Sequence, residues 1–141
     1  MIKRCVIFFV GVIFVFLLAT TNKTLAFSSE KGDYTFICEQ GSSTKIISAT
    51  AESARAKRKF LSGVKGETLR VLGNENTAND FIKKYSMRVV KTQKIENMTI
   101  FYGVGENMPY HINLYGEKIN LQIAVGDGIV VIGSPIILDG Y

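Results

Sequence analysis

Few residues in this 141-residue chain could support hydrolytic chemistry, and His111 is its only histidine. With Ser134 and Asp139 it forms a candidate triad, in which the imidazole would take the hydroxyl proton and the carboxylate would orient the ring. Ser134 lies outside any nucleophile elbow of the Gly-x-Ser-x-Gly type. His111 also shares a strand face with Asn113 and Tyr115, a polar strip of the kind that faces water. A structural role for His111 therefore outweighs a catalytic one, and a small secreted hydrolase using His111 is the alternative rather than the leading reading. Gly103-Val104-Gly105 and Gly126-Asp127-Gly128 are glycine-rich, yet neither opens a helix, as a phosphate loop requires. Hairpin turns account for both.

The positive charge that clusters is Arg55, Lys57, Arg58 and Lys59. On a helix these spread over the solvent-facing arc opposite Ala56 and Phe60. A solvated face is the ordinary explanation. The functional one is weak, salt-screened contact with an anionic wall polymer or phospholipid surface, which Arg70, Lys83, Lys84, Lys91 and Lys94 can join. Cys38 sits on an apolar strand and reads as buried filler. With one histidine and no Cys-x-x-Cys pair there is no structural zinc set, and no cofactor or metal is expected.

These side chains belong to a body of secondary structure that the patterning outlines. Asp33 to Glu39 alternates as a first strand, with Tyr34, Phe36 and Cys38 on one side. From Lys45 to Val64 the spacing of Ile46, Ala49, Ser53, Ala56, Phe60 and Val64 predicts a helix. Glu67 to Leu72 alternates again, with Thr68, Arg70 and Leu72 opposite Leu69 and Val71. Thr77 is placed to cap a second helix through Tyr85, with Ala78, Phe81, Ile82 and Tyr85 inward. Strands then follow at Arg88 to Ile95, Met98 to Val104, Tyr110 to Tyr115 and Lys118 to Val125, the last two joined by a Gly116-Glu117 turn. In the Lys118 strand, Asn120 and Gln122 are expected outward. Ile129 to Ile132 is apolar on both faces, as in a strand covered on both sides. Gly133-Ser134-Pro135 kinks the chain, and Ile136 to Leu138 continues along an edge. The fold class expected is α+β: a mainly antiparallel sheet with two helices packed on one face, preceded by an N-terminal hydrophobic helix.

That preceding helix carries the clearest functional signal. Lys3 and Arg4 lead into an uncharged run from Cys5 to Ala19, followed by polar Thr20 to Thr24 and then Leu25-Ala26. A positive start, an apolar core and a small-residue site form a secretory signal. The run is short of the roughly 20 residues of a spanning helix. Cleavage after Ala26, with Thr24 and Ala26 at the two small positions, is favoured over retention as an anchor. Residues 1–26 are thus read as a signal peptide or N-terminal membrane anchor, and residues 27–141 as a single α+β domain of a size suited to one core. Losing Lys3, Arg4 and Lys23 leaves 14 basic residues against 12 acidic ones, a net charge of +2 instead of +5. So slight an excess excludes a strong polyanion-binding surface, and no nucleic-acid partner is expected. Phe27 to Gly32 is expected to be a loose lead-in.

The stretch Asn113-Leu114-Tyr115-Gly116-Glu117-Lys118-Ile119-Asn120-Leu121-Gln122-Ile123-Ala124-Val125, leading into Val131 to Ile137 and a final Gly140-Tyr141, resembles the C-terminus of exported Firmicute proteins of the YwmB type. Those proteins are similar in fold to the TATA-box-binding protein. The resemblance covers residues 88–141 and rests on strands and turns. It implies a secreted or membrane-associated α+β domain of a spore-forming Gram-positive lineage, but not DNA binding, because fold does not determine function. The expectation is a non-enzymatic, extracytoplasmic binding domain of the cell envelope, associated with sporulation. It would touch the membrane at least transiently through residues 1–26 and meet a protein or an anionic wall polymer.

Overall fold

The computed structural model describes residues 24–28 and 30–137. Most of the expected N-terminal hydrophobic helix, together with Leu138 and Asp139, lies outside the described residues. Among the described residues, no helix is long and apolar enough to cross a membrane.

The chain runs β1 (Asp33–Gln40), β2 (Ser43–Thr50), α1 (Ala51–Phe60), β3 (Val64–Leu72), α2 (Glu75–Lys84), β4 (Arg88–Ile95), β5 (Met98–Val104), β6 (Ile112–Leu114), β7 (Glu117–Ile119), β8 (Leu121–Gly126) and β9 (Ile129–Ser134). Seven strands form one sheet in the order β2-β1-β3-β9-β8-β5-β4, and β6 and β7 form a separate hairpin. Every pairing is antiparallel. The α+β class with an antiparallel sheet and two helices is therefore as expected.

Register explains the core. Ala49, Tyr34, Leu69, Ile132, Ile123 and Phe101 stand opposite one another in a single row crossing six neighbouring strands. Strand side chains alternate between faces, so this row shares its face with Phe36, Cys38, Leu121, Val125 and Val130. Both helices bury their inward residues in the same apolar cluster, Ala54 from α1 and Ala78 and Phe81 from α2. The reverse face holds a smaller cluster of Ile100, Tyr102, Ala124, Val131 and Ile137. Ile129 to Ile132 is thus sandwiched between two clusters, which accounts for its apolar character on both sides.

Several expectations need correction. The helix predicted from Lys45 begins six residues later, because Ser43–Thr50 pairs along its whole length with β1 as an edge strand. Its β-branched Thr44, Ile46, Ile47 and Thr50 suit that pairing, and the helical spacing of Ile46, Ala49 and Ser53 was coincidental. Starting the helix at Ala51 rotates it. Ala51, Ala54, Arg58 and Leu61 face the core, while Ala56 is exposed and Phe60 is 87% exposed. Helix α2 starts at Asn74, whose Oδ1 accepts from the N–H groups of Asn76 and Thr77. Thr77 is the other half of this capping box, its Oγ1 accepting from Asn74 N–H, rather than the cap itself.

The strand predicted over Lys118 to Val125 divides at Asn120. This side chain accepts from Gly105 N–H at 2.7 Å and donates to Gly105 C=O at 2.9 Å, turning the chain from the hairpin into the main sheet. The hairpin turn centres on Tyr115 and Gly116, both at positive φ, one residue before the position expected, and β6 is shorter than the strand expected there. Gln122 is buried rather than outward, because the chain after β9 folds back across that face and Ile137 N–H donates to its Oε1 at 2.8 Å. This return replaces the expected edge continuation after Pro135. It needs Gly133, where a Cβ would lie 2.5 Å from the Ile136 carbonyl carbon. The supposed loose lead-in is also packed: Leu25 and Phe27 join the helix-side cluster, and Phe27 is fully buried.

Two substitutions check these contacts by urea unfolding. Asn74→Ala removes the α2 cap and lowers stability by about 1 kcal/mol. Gly133→Ala forces the returning chain off the sheet at a cost of about 1–3 kcal/mol. It should also loosen the reverse-face cluster, seen as faster amide exchange at Ile137.

Candidate functional site

The most unusual side chain in the molecule is Glu67. On β3 it stands between Phe36 of β1 and Ser134 of β9 on the helix face of the sheet, and it is fully buried. Its carboxylate accepts one backbone N–H at each oxygen, Ala26 at 2.9 Å and Phe27 at 3.2 Å. The segment it holds is secured on every side. The Tyr34 hydroxyl is directed at the carbonyls of Phe27 and Glu30. The Phe27 ring meets Tyr85 edge-on at 5.7 Å, and Tyr85 stacks on Phe81 of α2. Glu30 pairs with Lys84 of α2 and accepts from the Tyr85 hydroxyl.

Arg58 reaches toward the same region from α1. Its Nη2 donates to the Tyr110 hydroxyl at 3.0 Å, while its buried Nε finds no hydrogen-bond partner among the described residues. The Ser134 hydroxyl is likewise buried without a partner there. Burial raises the Glu67 carboxyl above its ordinary value, against the opposing pull of the two backbone N–H groups and of Arg58. Burial also raises the Cys38 thiol, with Arg58 and Lys45 opposing. The Tyr34 hydroxyl is pushed up to about 12, first by burial and then by the negative charges of Glu67 and Glu30. Tyr85 and Tyr110 shift upward for the same leading reason. A thiol and phenols held protonated are poor nucleophiles. The cluster holds a piece of the chain, at Ala26, Phe27 and Glu30, against the sheet.

The residues singled out from sequence are dispersed. His111 is exposed just ahead of β6, while Ser134 is fully buried at the end of β9. Asp139 is outside the described residues. On α1, Arg55 donates to Ser28 C=O at 3.2 Å and Lys57 to Ser48 C=O at 2.9 Å. Arg58 turns inward to Tyr110, and Lys59 is exposed. Among the described residues no three His, Cys, Asp or Glu side chains gather as metal ligands. The role of Glu67 was missed, although its alternation with Leu69 and Val71 already put it on the apolar side of β3.

A second feature lies on the reverse face of the sheet, where the returning chain does not reach. A hollow of about 140 Å³ is lined by Arg70, Met98, Ala124, Asp127, Ile129 and Val131. A second depression shares Arg70 and Ile129 with it and is also lined by Lys31, Asp33 and Leu72. Leu72 is 88% exposed at its rim. The hollow thus sets one guanidinium, Arg70, and one carboxylate, Asp127, among aliphatic side chains.

Glu67 gives the chain a pH signature. With its folded value raised, the folded chain binds more proton than the unfolded one above the ordinary value of 4.5. Its contribution to stability is therefore full below that pH and is lost as pH rises through the folded value. Glu67→Gln should flatten this fall in urea midpoint while leaving the acidic end nearly unchanged.

Comparison with protein-family models, with curated proteins and with solved structures yields no match.

Proposed function

We propose that this chain is a non-enzymatic, extracytoplasmic contact domain of the cell envelope, exported or anchored by residues 1–26 and akin to the YwmB-type proteins of sporulating Firmicutes. The observation that carries the reading is the open part of the reverse sheet face, where Arg70 stands among Met98, Ile129 and Val131, with Asp127 in the same hollow and the exposed Leu72 nearby. Such a face recognises a partner by one charge-assisted contact with an apolar surround. The partner class is a carboxylate- or phosphate-bearing wall polymer, or a protein presenting such a group. Arg55, Lys57, Arg58 and Lys59 on α1 were the charges first suspected of this role. Arg58 is engaged with Tyr110, so Arg55, Lys57 and Lys59 supply at most a screened, longer-range attraction. Support for export comes from the charge and hydropathy order of the first twenty-six residues.

The test is sedimentation of the exported protein with purified cell walls across a salt series. Arg70→Ala should weaken binding about tenfold or more, the equivalent of one charge-assisted hydrogen bond. A Lys57→Ala/Lys59→Ala double variant should change mainly the salt dependence. Binding unaffected by Arg70→Ala would move the contact off this face. Wall-fragment hydrolysis that disappears in a folded His111→Ala variant would replace the contact reading with the hydrolase.

A further inference from the structure

We propose that cleavage after Ala26 delivers the α-ammonium of Phe27 to the buried Glu67 carboxylate, so that processing installs the ion pair that locks the mature N-terminus into the core. The proposal rests on the signal-peptide reading and adds to it a binding site for the new terminus. Hydrolysis by the peptidase of the secretion route breaks the bond between the Ala26 carbonyl carbon and the Phe27 nitrogen. Water supplies the hydroxyl of the Ala26 carboxyl and a proton to the Phe27 amine, which takes up a further proton from solvent.

The geometry is already in place. Phe27 N lies 3.2 Å from Glu67 Oε1, and the departing Ala26 vacates Oε2, which its own N–H contacts at 2.9 Å. An ammonium has three donors and can satisfy both oxygens, whereas the uncut chain needs two successive amides to do so. Phe27 is also the member of this segment that remains best held after the cut. It is fully buried, with its ring on Tyr85 and its carbonyl at Tyr34, and the cut removes only Leu25 and the partly buried Ala26 from this packing. The small residues at positions 24 and 26 place the cut at the bond the carboxylate faces. A carboxylate wholly removed from water is stabilised far better by a charged partner than by neutral donors. The other ionisable groups acting on this region are Arg55 and Arg58 from α1, Tyr34 and Cys38 from β1, Glu30 with its partner Lys84 of α2, Tyr85 and Tyr110. The cations here are already engaged: Arg58 Nη2 is directed to Tyr110, Arg55 donates to Ser28 C=O and Lys84 pairs with Glu30.

The experiment uses the full chain expressed in a secreting Gram-positive host. Intact mass of the exported protein should correspond to a chain beginning at Phe27. Its α-amine should then react with an amine-directed reagent on the order of a hundredfold more slowly when folded than in urea, because reaction requires local opening. Glu67→Gln should restore rapid reaction. The wild-type folded protein should also lose stability as pH rises through the amine's titration, upward from about 7.7–8.0. The sign follows from pairing, which raises the ammonium's folded value, so its stability is full below that range and is lost above it. This loss differs in cause from the carboxyl-driven fall of the uncut chain, since here the titrating group is the amine. A chain beginning anywhere but Phe27 overturns the processing reading, and the proposal with it. A chain beginning at Phe27 whose amine reacts as fast folded as unfolded overturns the ion pair alone. Should the Glu67→Gln variant fail to fold, the wild-type labelling ratio still decides.

Discussion

A carboxylate placed on the inner face of a sheet has to be compensated where it stands. Taking Glu67 out of water costs several kcal/mol even after relaxation. Two N–H groups bound to the carboxylate return part of that cost, though burial still prevails and raises the carboxyl above its ordinary value. Those donors do not come from the sheet, whose amides are committed to ladder bonds. They come from Ala26 and Phe27, and the segment around them must be drawn inward to provide them. Much of the polar chemistry of this region follows from that requirement. Tyr34 takes up the carbonyls the segment brings with it, Phe27 fills space against Tyr85, and Glu30 is fastened to α2 through Lys84. The N-terminal segment thereby becomes a structural part of the core rather than its approach.

The two faces of the sheet are closed by different means. On one, helices α1 and α2 contribute small and aromatic residues to a continuous apolar cluster. On the other, closure is partial: the chain beyond β9 returns over Gly133 and Gln122, and Tyr115 of the hairpin packs against Tyr102 at 5.4 Å with Lys91 over its ring. What those two covers do not reach is the stretch around Arg70. That layer stays incomplete where Arg70 and Asp127 stand among aliphatic side chains.

Strand patterns were legible wherever alternation ran against a buried face, as in Asp33 to Gln40 or Met98 to Val104. The second helix was legible too, because Ala78 and Phe81 recur at helical spacing beside a capping motif. The first helix was misplaced for a definite reason. Edge strand β2 buries little on either side, so its residues obey no strict period, and a chance spacing of Ile46, Ala49 and Ser53 extended the helix backward. That error also rotated α1, turning Arg58 outward on paper when its guanidinium faces the core. The candidate triad, by contrast, was only a list of residue types. With one member exposed and another fully buried, proximity in kind did not become proximity in space.

By itself the sequence determined the class of this protein: periodicity and turn residues are local, and they specify an antiparallel sheet with helices regardless of how the strands are ordered. It also specified the charge and hydropathy order of the first residues, the basis for expecting export. Strand order was decided only in three dimensions, because pairing β3 with β9 joins residues more than fifty positions apart. The same holds for the partnership of Glu67 with amides forty residues upstream and for the return of Ile137 to Gln122. Each depends on which surfaces meet once the sheet has closed. Local pattern carries no information about such long-range meetings, since many orders would satisfy it equally well.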